Sequence, residues 1–131
     1  MRGFTKKGHR TVTFTRDGET LTLTLHTLPV LFMPMLREMI PIQEEMSASQ
    51  KSIRVERQGV AMVAEALRPS EELPALPSPR DPAEAWVDYT TTLSDTFRGA
   101  GLSVEMIRRL VDETVELIND CLLYTSPSPR D

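Results

Sequence analysis

The chain is poor in cysteine, in aromatic residues and in long apolar runs. A single cysteine, Cys121, stands among 131 residues, which excludes an internal disulfide framework. Aromatic residues make up only 5% of the sequence, so the core must rely on aliphatic side chains and methionines. No run of about 18 apolar residues occurs, so no membrane-spanning helix is expected. The composition therefore favours a small cytoplasmic domain.

Motifs of catalysis and excess positive charge are also lacking. The formal net charge of -4 argues against a general affinity for nucleic acid. The sequence contains no Gly-x-Ser-x-Gly, His-Glu-x-x-His, P-loop or dinucleotide fingerprint. Its many carboxylates stand in no recognisable acid-base pair. We therefore expect neither an enzyme nor a bound cofactor.

A β-hairpin is the clearest element that is present. Residues 11–26 alternate between polar and apolar side chains on both sides of Asp17 and Gly18, a pair typical of a two-residue hairpin turn. This register places His9 opposite His26. One face is apolar and needs a cover, since an isolated hairpin is only marginally stable in water. The apolar face comprises Val12, Phe14, Leu21, Leu23 and Leu25.

The segment after the hairpin, TLPVLFMPMLREMIPIQEEM, is apolar and rich in methionine. Pro29, Pro34 and Pro41 permit only short helical pieces. We predict that this segment covers the leucine face of the hairpin. The alternative is that its methionines offer a soft surface to a helix of a partner protein. The apolar residues concerned are Val30, Leu31, Phe32, Met35, Leu36, Met39 and Ile40.

Residues 47–68 give a mixed signal. The apolar spacing predicts a helix from about residue 58 to residue 68, ending before Pro69. Ile53 and Val55 instead alternate as in a short strand, so the sequence does not assign residues 47–57 to either a helix or a strand.

A proline-rich connector is predicted for residues 69–81, because its prolines favour extended chain. At its end, Asp81 is predicted to cap a helix, with Pro82 as the first helical residue and Glu84 completing a capping box.

Two helices joined by a glycine-containing turn are predicted for residues 82–120. The first covers residues 82–97 and is broken at Gly99 and Gly101, and Ser103 caps the second. Both have amphipathic spacing, and together they form an αα-hairpin. Their inward positions are Trp86, Tyr89, Leu93 and Phe97, then Ile107, Leu110, Val111, Thr114 and Ile118.

The pentapeptide PSPRD occurs twice, at residues 77–81 and 127–131. The second copy belongs to CLLYTSPSPRD, residues 121–131, which resembles a translated sequencing adapter. The resemblance implies that the natural part of the chain is residues 1–120, that its true C-terminus is lost, and that Cys121 is not native. The repeat then carries no function.

Two features of the sequence could carry binding chemistry, a histidine pair and a basic arm. His9 and His26 face each other across the hairpin, but a metal site needs further ligands and none is placed nearby, so no metal is expected. Residues 1–10 form a basic arm, predicted to be disordered, that could bind nucleic acid. The arm and the first strand together carry Arg2, Lys6, Lys7, Arg10 and Arg16.

The predicted fold is α+β: an N-terminal antiparallel β-hairpin followed by short helices and a C-terminal αα-hairpin. The predicted organisation is a basic arm (1–10), hairpin with short helices (11–68), connector (69–81), helical hairpin (82–120) and adapter-derived tail (121–131). This order of parts, with the segments VTFTRDGETLTLTL, LPVLFMPMLREMIP and SPRDPAEAWVDY, resembles small chaperone-like tail-assembly proteins of tailed bacteriophages.

The resemblance implies a non-enzymatic protein of the host cytoplasm that binds the long helical tape-measure protein during tail assembly. Self-association is a further expectation, and nucleic acid and membrane are not expected partners. The alternative is a nucleic-acid-associated accessory protein that uses the basic arm. If the resemblance holds, partner contact is expected on Phe32, Met35, Leu36 and Met39, or on the helix of Trp86 and Tyr89.

Overall fold

A computed structural model describes the backbone of residues 8–125 and the side chains of residues 8–120. A two-stranded antiparallel hairpin comes first, followed by helices that end in a C-terminal pair, which confirms the predicted α+β fold. The elements are β1 (His9–Arg16), β2 (Glu19–His26), α1 (Phe32–Met39), α2 (Ala48–Leu67), α3 (Ala83–Gly99) and α4 (Val104–Thr125).

The hairpin has the predicted turn and register. Asp17 and Gly18 both have positive φ angles, 53° and 80°, as a two-residue turn of this kind requires. His9 pairs with His26, and Arg16 pairs with Glu19 at the turn. The predicted apolar face is the inner face: Val12, Phe14, Leu23 and Leu25 are buried, and Leu21 is partly buried.

Helix α2 is the central element of the fold. It packs against α1, α3, α4 and β2, and nearly every side chain from residue 60 to residue 67 is buried. A helix that is apolar on all sides in this way must lie inside the protein. The other elements are therefore arranged around this half of α2.

The start of α2 differs from the prediction. The helix begins at Ala48, not near residue 58, because Ser47 and Gln50 form a capping box. The Ser47 hydroxyl accepts a hydrogen bond from the Gln50 amide at 3.2 Å, and the Gln50 side chain accepts one from the Ser47 amide at 2.9 Å. Ile53 and Val55 lie on this helix, 51% and 56% exposed, and not on a strand.

The cover of the hairpin also differs from the prediction. Helices α2 and α4 pack against the strands, whereas α1 packs mainly against α2. Helix α1 has only 8 residues and adds Phe32, Leu36 and Ile40 to the common core. The long helices supply the area that the hairpin needs. Val30 and Leu31, predicted as part of the cover, are 90% and 76% exposed.

The connector contains neither helix nor strand, but its predicted cap does not form. The Asp81 carboxylate accepts a hydrogen bond from the Ser78 amide at 3.0 Å, and so stabilises a turn in the connector. Pro82 is the residue before α3 and not its first residue, and no side chain caps this helix. The predicted capping box with Glu84 is therefore wrong.

The helical pair agrees with its predicted spacing. Trp86, Tyr89, Leu93 and Phe97 of α3 are all buried, and the Ser103 hydroxyl accepts a hydrogen bond from the Met106 amide at 3.2 Å at the start of α4. In α4 the buried positions are Leu110, Thr114 and Leu117, while Ile107, Val111 and Ile118 are partly buried. Leu117 was not among the predicted inward residues. Both helices pack against α2.

The two ends of the chain are only partly described. Residues 1–7 and 126–131, which hold most of the predicted arm and half of the predicted tail, lie outside the described residues. Residues 9 and 10, placed in the arm by the prediction, belong to β1, and α4 continues through residues 121–125.

Candidate functional site

An apolar groove lies where α2, α3 and α4 meet. Its volume is about 640 Å³, and it is lined by the first half of α2, the end of α3, the turn after α3 and the start of α4. The apolar residues that line it are Val55, Gly59, Val60, Leu102, Val104, Ile107 and Val111. We call this the α2–α4 groove.

A glycine allows a close approach of α2 and α4 at the α2–α4 groove. A β-carbon at position 59 would lie 3.2 Å from Cγ2 of Val111, a tighter contact than most side chains make. Helices α2 and α4 therefore approach closely at Gly59, and both Gly59 and Val111 line the groove. A lone glycine inside a helical pattern often has such a packing reason.

The turn between α3 and α4 closes one end of the groove. Gly101 has a φ of 91°, and its amide bonds the carbonyl of Arg98 at 3.0 Å. The Leu102 amide bonds the carbonyl of Phe97, also at 3.0 Å. These bonds form a Schellman motif, in which Leu102 and Phe97 are both buried. The motif fixes the point from which α4 departs.

The floor of the groove is apolar and its rim is charged. Val55 and Val104 both line the groove and remain 56% and 64% exposed. Charges of both signs surround them on all three helices. The rim residues are Glu56, Arg98, Arg108 and Asp112. Such a site can bind an apolar surface that is flanked by polar groups.

A smaller depression of about 150 Å³ extends the groove between α2 and α3. It shares Glu56, Val60, Ser94 and Arg98 with the α2–α4 groove and adds Ile53, which is 51% exposed. The rest of its lining is polar, so Ile53 is the one apolar residue by which this depression extends the groove along α2.

The predicted partner residues lie elsewhere. Phe32, Leu36, Trp86 and Tyr89 belong to one core cluster and are at most 5% exposed, while Met35 and Met39 are partly buried against it. Four of the six are therefore core residues, and Met35 and Met39 remain partly exposed beside the core. Helical spacing identified them as apolar positions, but it does not distinguish a core position from a binding position.

Two arginines hold α2 to its neighbours. Arg57 donates through Nη1 to the Thr90 hydroxyl at 2.8 Å and to the Val87 carbonyl at 3.2 Å. Arg68 donates to the Tyr89 hydroxyl at 2.5 Å. Burial raises the pKa of Tyr89, although the charge and the hydrogen bond of Arg68 act in the opposite direction. These contacts are structural.

A third arginine ties β1 to α4. Arg10 contacts Glu113 at 3.1 Å, Glu116 at 2.9 Å and Asp120 at 2.6 Å. Burial alone would lower the pKa of Arg10, but the hydrogen bonds with Glu113 and Glu116 and the charges of Glu113 and Asp120 together raise that pKa. Arg10 therefore acts as a clamp within the protein and is not part of a free basic arm.

Of the other four cations predicted for the basic arm, the structure describes one. Arg16 reaches to within 3.5 Å of the Gly101 carbonyl oxygen. Arg2, Lys6 and Lys7 lie outside the described residues.

The histidine pair has the predicted register but few ligands. The ring centroids of His9 and His26 are 6.3 Å apart, and Nε2 of His26 lies 2.7 Å from the Ser70 hydroxyl. Within the part of the chain that the structure describes, no three histidine, cysteine, aspartate or glutamate side chains come together as a metal site.

Comparison with protein-family models, with curated proteins and with solved structures finds no match to this chain. Among the described helices, none combines the length and the apolar character that crossing a membrane requires.

Proposed function

We propose that this chain is a non-enzymatic protein-binding module whose α2–α4 groove holds the apolar face of an amphipathic helix. The observation that carries the proposal is the pair Val55 and Val104, which line the groove and yet remain more than half exposed. Recognition of an amphipathic helix commonly relies on an apolar groove between helices, into which side chains at helical spacing insert.

The rim favours a helix over a wholly apolar ligand. Glu56, Arg98, Arg108 and Asp112 place both signs of charge around the apolar floor. An amphipathic helix has polar side chains next to its apolar stripe, and these can pair with charges of either sign. A wholly apolar ligand would leave the rim charges without such partners.

The resemblance to phage tail-assembly proteins supplies a specific partner. In that form of the proposal, the bound helix belongs to a long tape-measure-type protein, and many copies of this chain bind along it. The groove would then replace the core residues Phe32, Leu36, Trp86 and Tyr89 as the contact surface.

The nucleic-acid alternative receives no support from the described residues. Arg10 is occupied by three acidic side chains of α4, which removes one of the five cations on which that alternative depends.

Peptide binding tests the proposal. The probe is a labelled peptide of about 20 residues with leucine at helical spacing and mixed Glu and Lys elsewhere, and a scrambled peptide serves as the control. We expect the double variant Val55→Gln/Val104→Gln to weaken binding at least about tenfold, measured by fluorescence anisotropy, because two apolar contacts are lost.

The matched control is Val30→Gln/Val115→Gln, which changes two exposed valines that do not line the groove. This control should bind the peptide as the unmodified protein does. Equal binding by both double variants, or no preference for the amphipathic peptide over its scrambled form, would contradict the proposal.

A further inference from the structure

The outer edge of β2 presents a row of backbone hydrogen-bonding groups. The Thr27 amide bonds the Gly8 carbonyl at 3.1 Å, so these two residues form a hydrogen-bonded pair at the open end of the hairpin. Because such pairs alternate along an antiparallel ladder, the amides and carbonyls of Thr20, Thr22 and Thr24 point away from β1.

The outer edge of β1 is engaged by α4 at one residue, which provides a contrast within the same hairpin. The carbonyl of Thr13 accepts a hydrogen bond from Arg109 of α4 at 3.3 Å. The guanidinium of Arg109 also stands 5.2 Å from the centre of the Phe14 ring. Helix α4 therefore flanks this strand.

On the outer edge of β2 the described residues make no such hydrogen bond, although α2 packs against this strand. In residues 8–120, no side chain or backbone group of another element hydrogen-bonds to the backbone of Thr20, Thr22 or Thr24. The contact between His26 and Ser70 lies beyond this stretch, at the end of the strand. Thr20 and Thr22 are exposed.

After the charged Glu19 at its start, β2 lacks the usual protection of an edge strand. Residues 20–25 read TLTLTL, without a charged residue, a proline or a glycine. Edge strands are commonly guarded by lysine, proline or a bulge, because a regular exposed edge is a template for another strand. This edge is regular over its whole length.

We infer that β2 pairs antiparallel with β2 of a second copy of this chain, forming one continuous four-stranded sheet. Thr22 lies at the two-fold axis of this pairing, so that Thr20 faces Thr24 of the second copy. The partly buried Leu21 comes to lie beside Leu23 of that copy, on the inner face of the joined sheet.

We assign the strand that pairs with the outer edge of β2 to a second copy of this chain, because TLTLTL is complementary to itself. In the register centred on Thr22, threonine faces threonine and leucine faces leucine, and Glu19 faces Leu25, so no like charges meet. A threonine pair of this kind already exists in the hairpin, where the hydroxyls of Thr13 and Thr22 are 3.3 Å apart. Such cross-strand pairs stabilise antiparallel sheets.

The inference goes beyond the proposed function and fails separately from it. The edge of β2 contributes no residue to the α2–α4 groove. Peptide binding with a monomeric protein would contradict only the dimer, and dimerisation without peptide binding would contradict only the helix-binding proposal.

Sedimentation equilibrium of the full chain over about 1 μM to 1 mM tests the inference, since one strand pair buries little area and gives a weak dimer. We expect a monomer–dimer equilibrium in the unmodified protein. Thr22→Lys and Thr22→Glu should each weaken it at least tenfold, because like charges then meet at the two-fold axis. An equimolar mixture of the two should associate again, because Lys then faces Glu.

A backbone variant supplies a second test. Thr22→Pro removes an outward amide without breaking the ladder with β1, and Thr11→Pro is the matched change on the other edge. Thr22→Pro should abolish the dimer and Thr11→Pro should keep it. A monomer at every concentration, unchanged association in Thr22→Lys, or no recovery in the Lys–Glu mixture would overturn the inference.

Discussion

The two halves of α2 lie in opposite environments. Residues 60–67 are almost completely buried among β2 and the neighbouring helices, whereas residues 48–59 are largely accessible, with Ile53 and Val55 more than half exposed. One continuous helix therefore anchors the core at one end and presents apolar surface at the other. Apolar residues of α2 fill the core in one half and remain exposed in the other, and only their burial distinguishes the two groups.

The largest expected effect comes from placing the same charge in each half. Val63→Asp puts a carboxylate at a position that is 0% exposed and should cost at least about 3 kcal/mol of unfolding free energy. Val55→Asp, on the exposed half, should cost less than about 1 kcal/mol. Urea denaturation followed by circular dichroism measures both. Equal losses would show that the two halves do not differ as described.

The next largest effect concerns Arg10, the clamp that holds β1 to α4. Arg10→Ala removes three ion pairs of a side chain that is 24% exposed, and should cost about 1–2 kcal/mol. Arg108→Ala, an exposed arginine on α4, is the control and should change the unfolding free energy little. In about 1 M salt the difference between them should shrink, because the ion pairs are screened. A cost that salt leaves unchanged would argue against the clamp.

The smallest expected effect is a pH dependence at Tyr89. Its pKa is raised in the folded protein, mainly by burial, so the unfolded chain loses this proton first as the pH rises past about 10. The folded state should therefore lose stability in that range. Tyr89→Phe should remove this part of the alkaline loss, measured by urea denaturation at several pH values. An unchanged slope in the variant would contradict the assignment to Tyr89.

Much of the fold could be predicted because its signals are local. Asp17 and Gly18 fix the turn, and strict alternation then sets the register of every pair in the hairpin. The inward positions of α3 follow equally from helical spacing. The start of α2 carried a local signal too, since Ser47 and Gln50 have capping-box spacing, but the alternation of Ile53 and Val55 obscured it.

The groove could not be predicted, because it depends on contacts between distant parts of the chain. The approach of Gly59 to Val111 is invisible to spacing along one helix. Val55 and Val104 look like ordinary apolar positions, and only the placement of three helices leaves them exposed. For the same reason the six predicted partner residues are apolar positions of which the structure buries four and partly buries two, Met35 and Met39.

The most direct test of the account is to map the bound helix by nuclear magnetic resonance. The amide signals of the full chain would be followed during titration with the amphipathic peptide. We expect shifts concentrated on residues 52–60, on residues 94–98 of α3 and on residues 102–112, with little change in α1. Shifts centred on α1 and the connector, with the groove unperturbed, would contradict it.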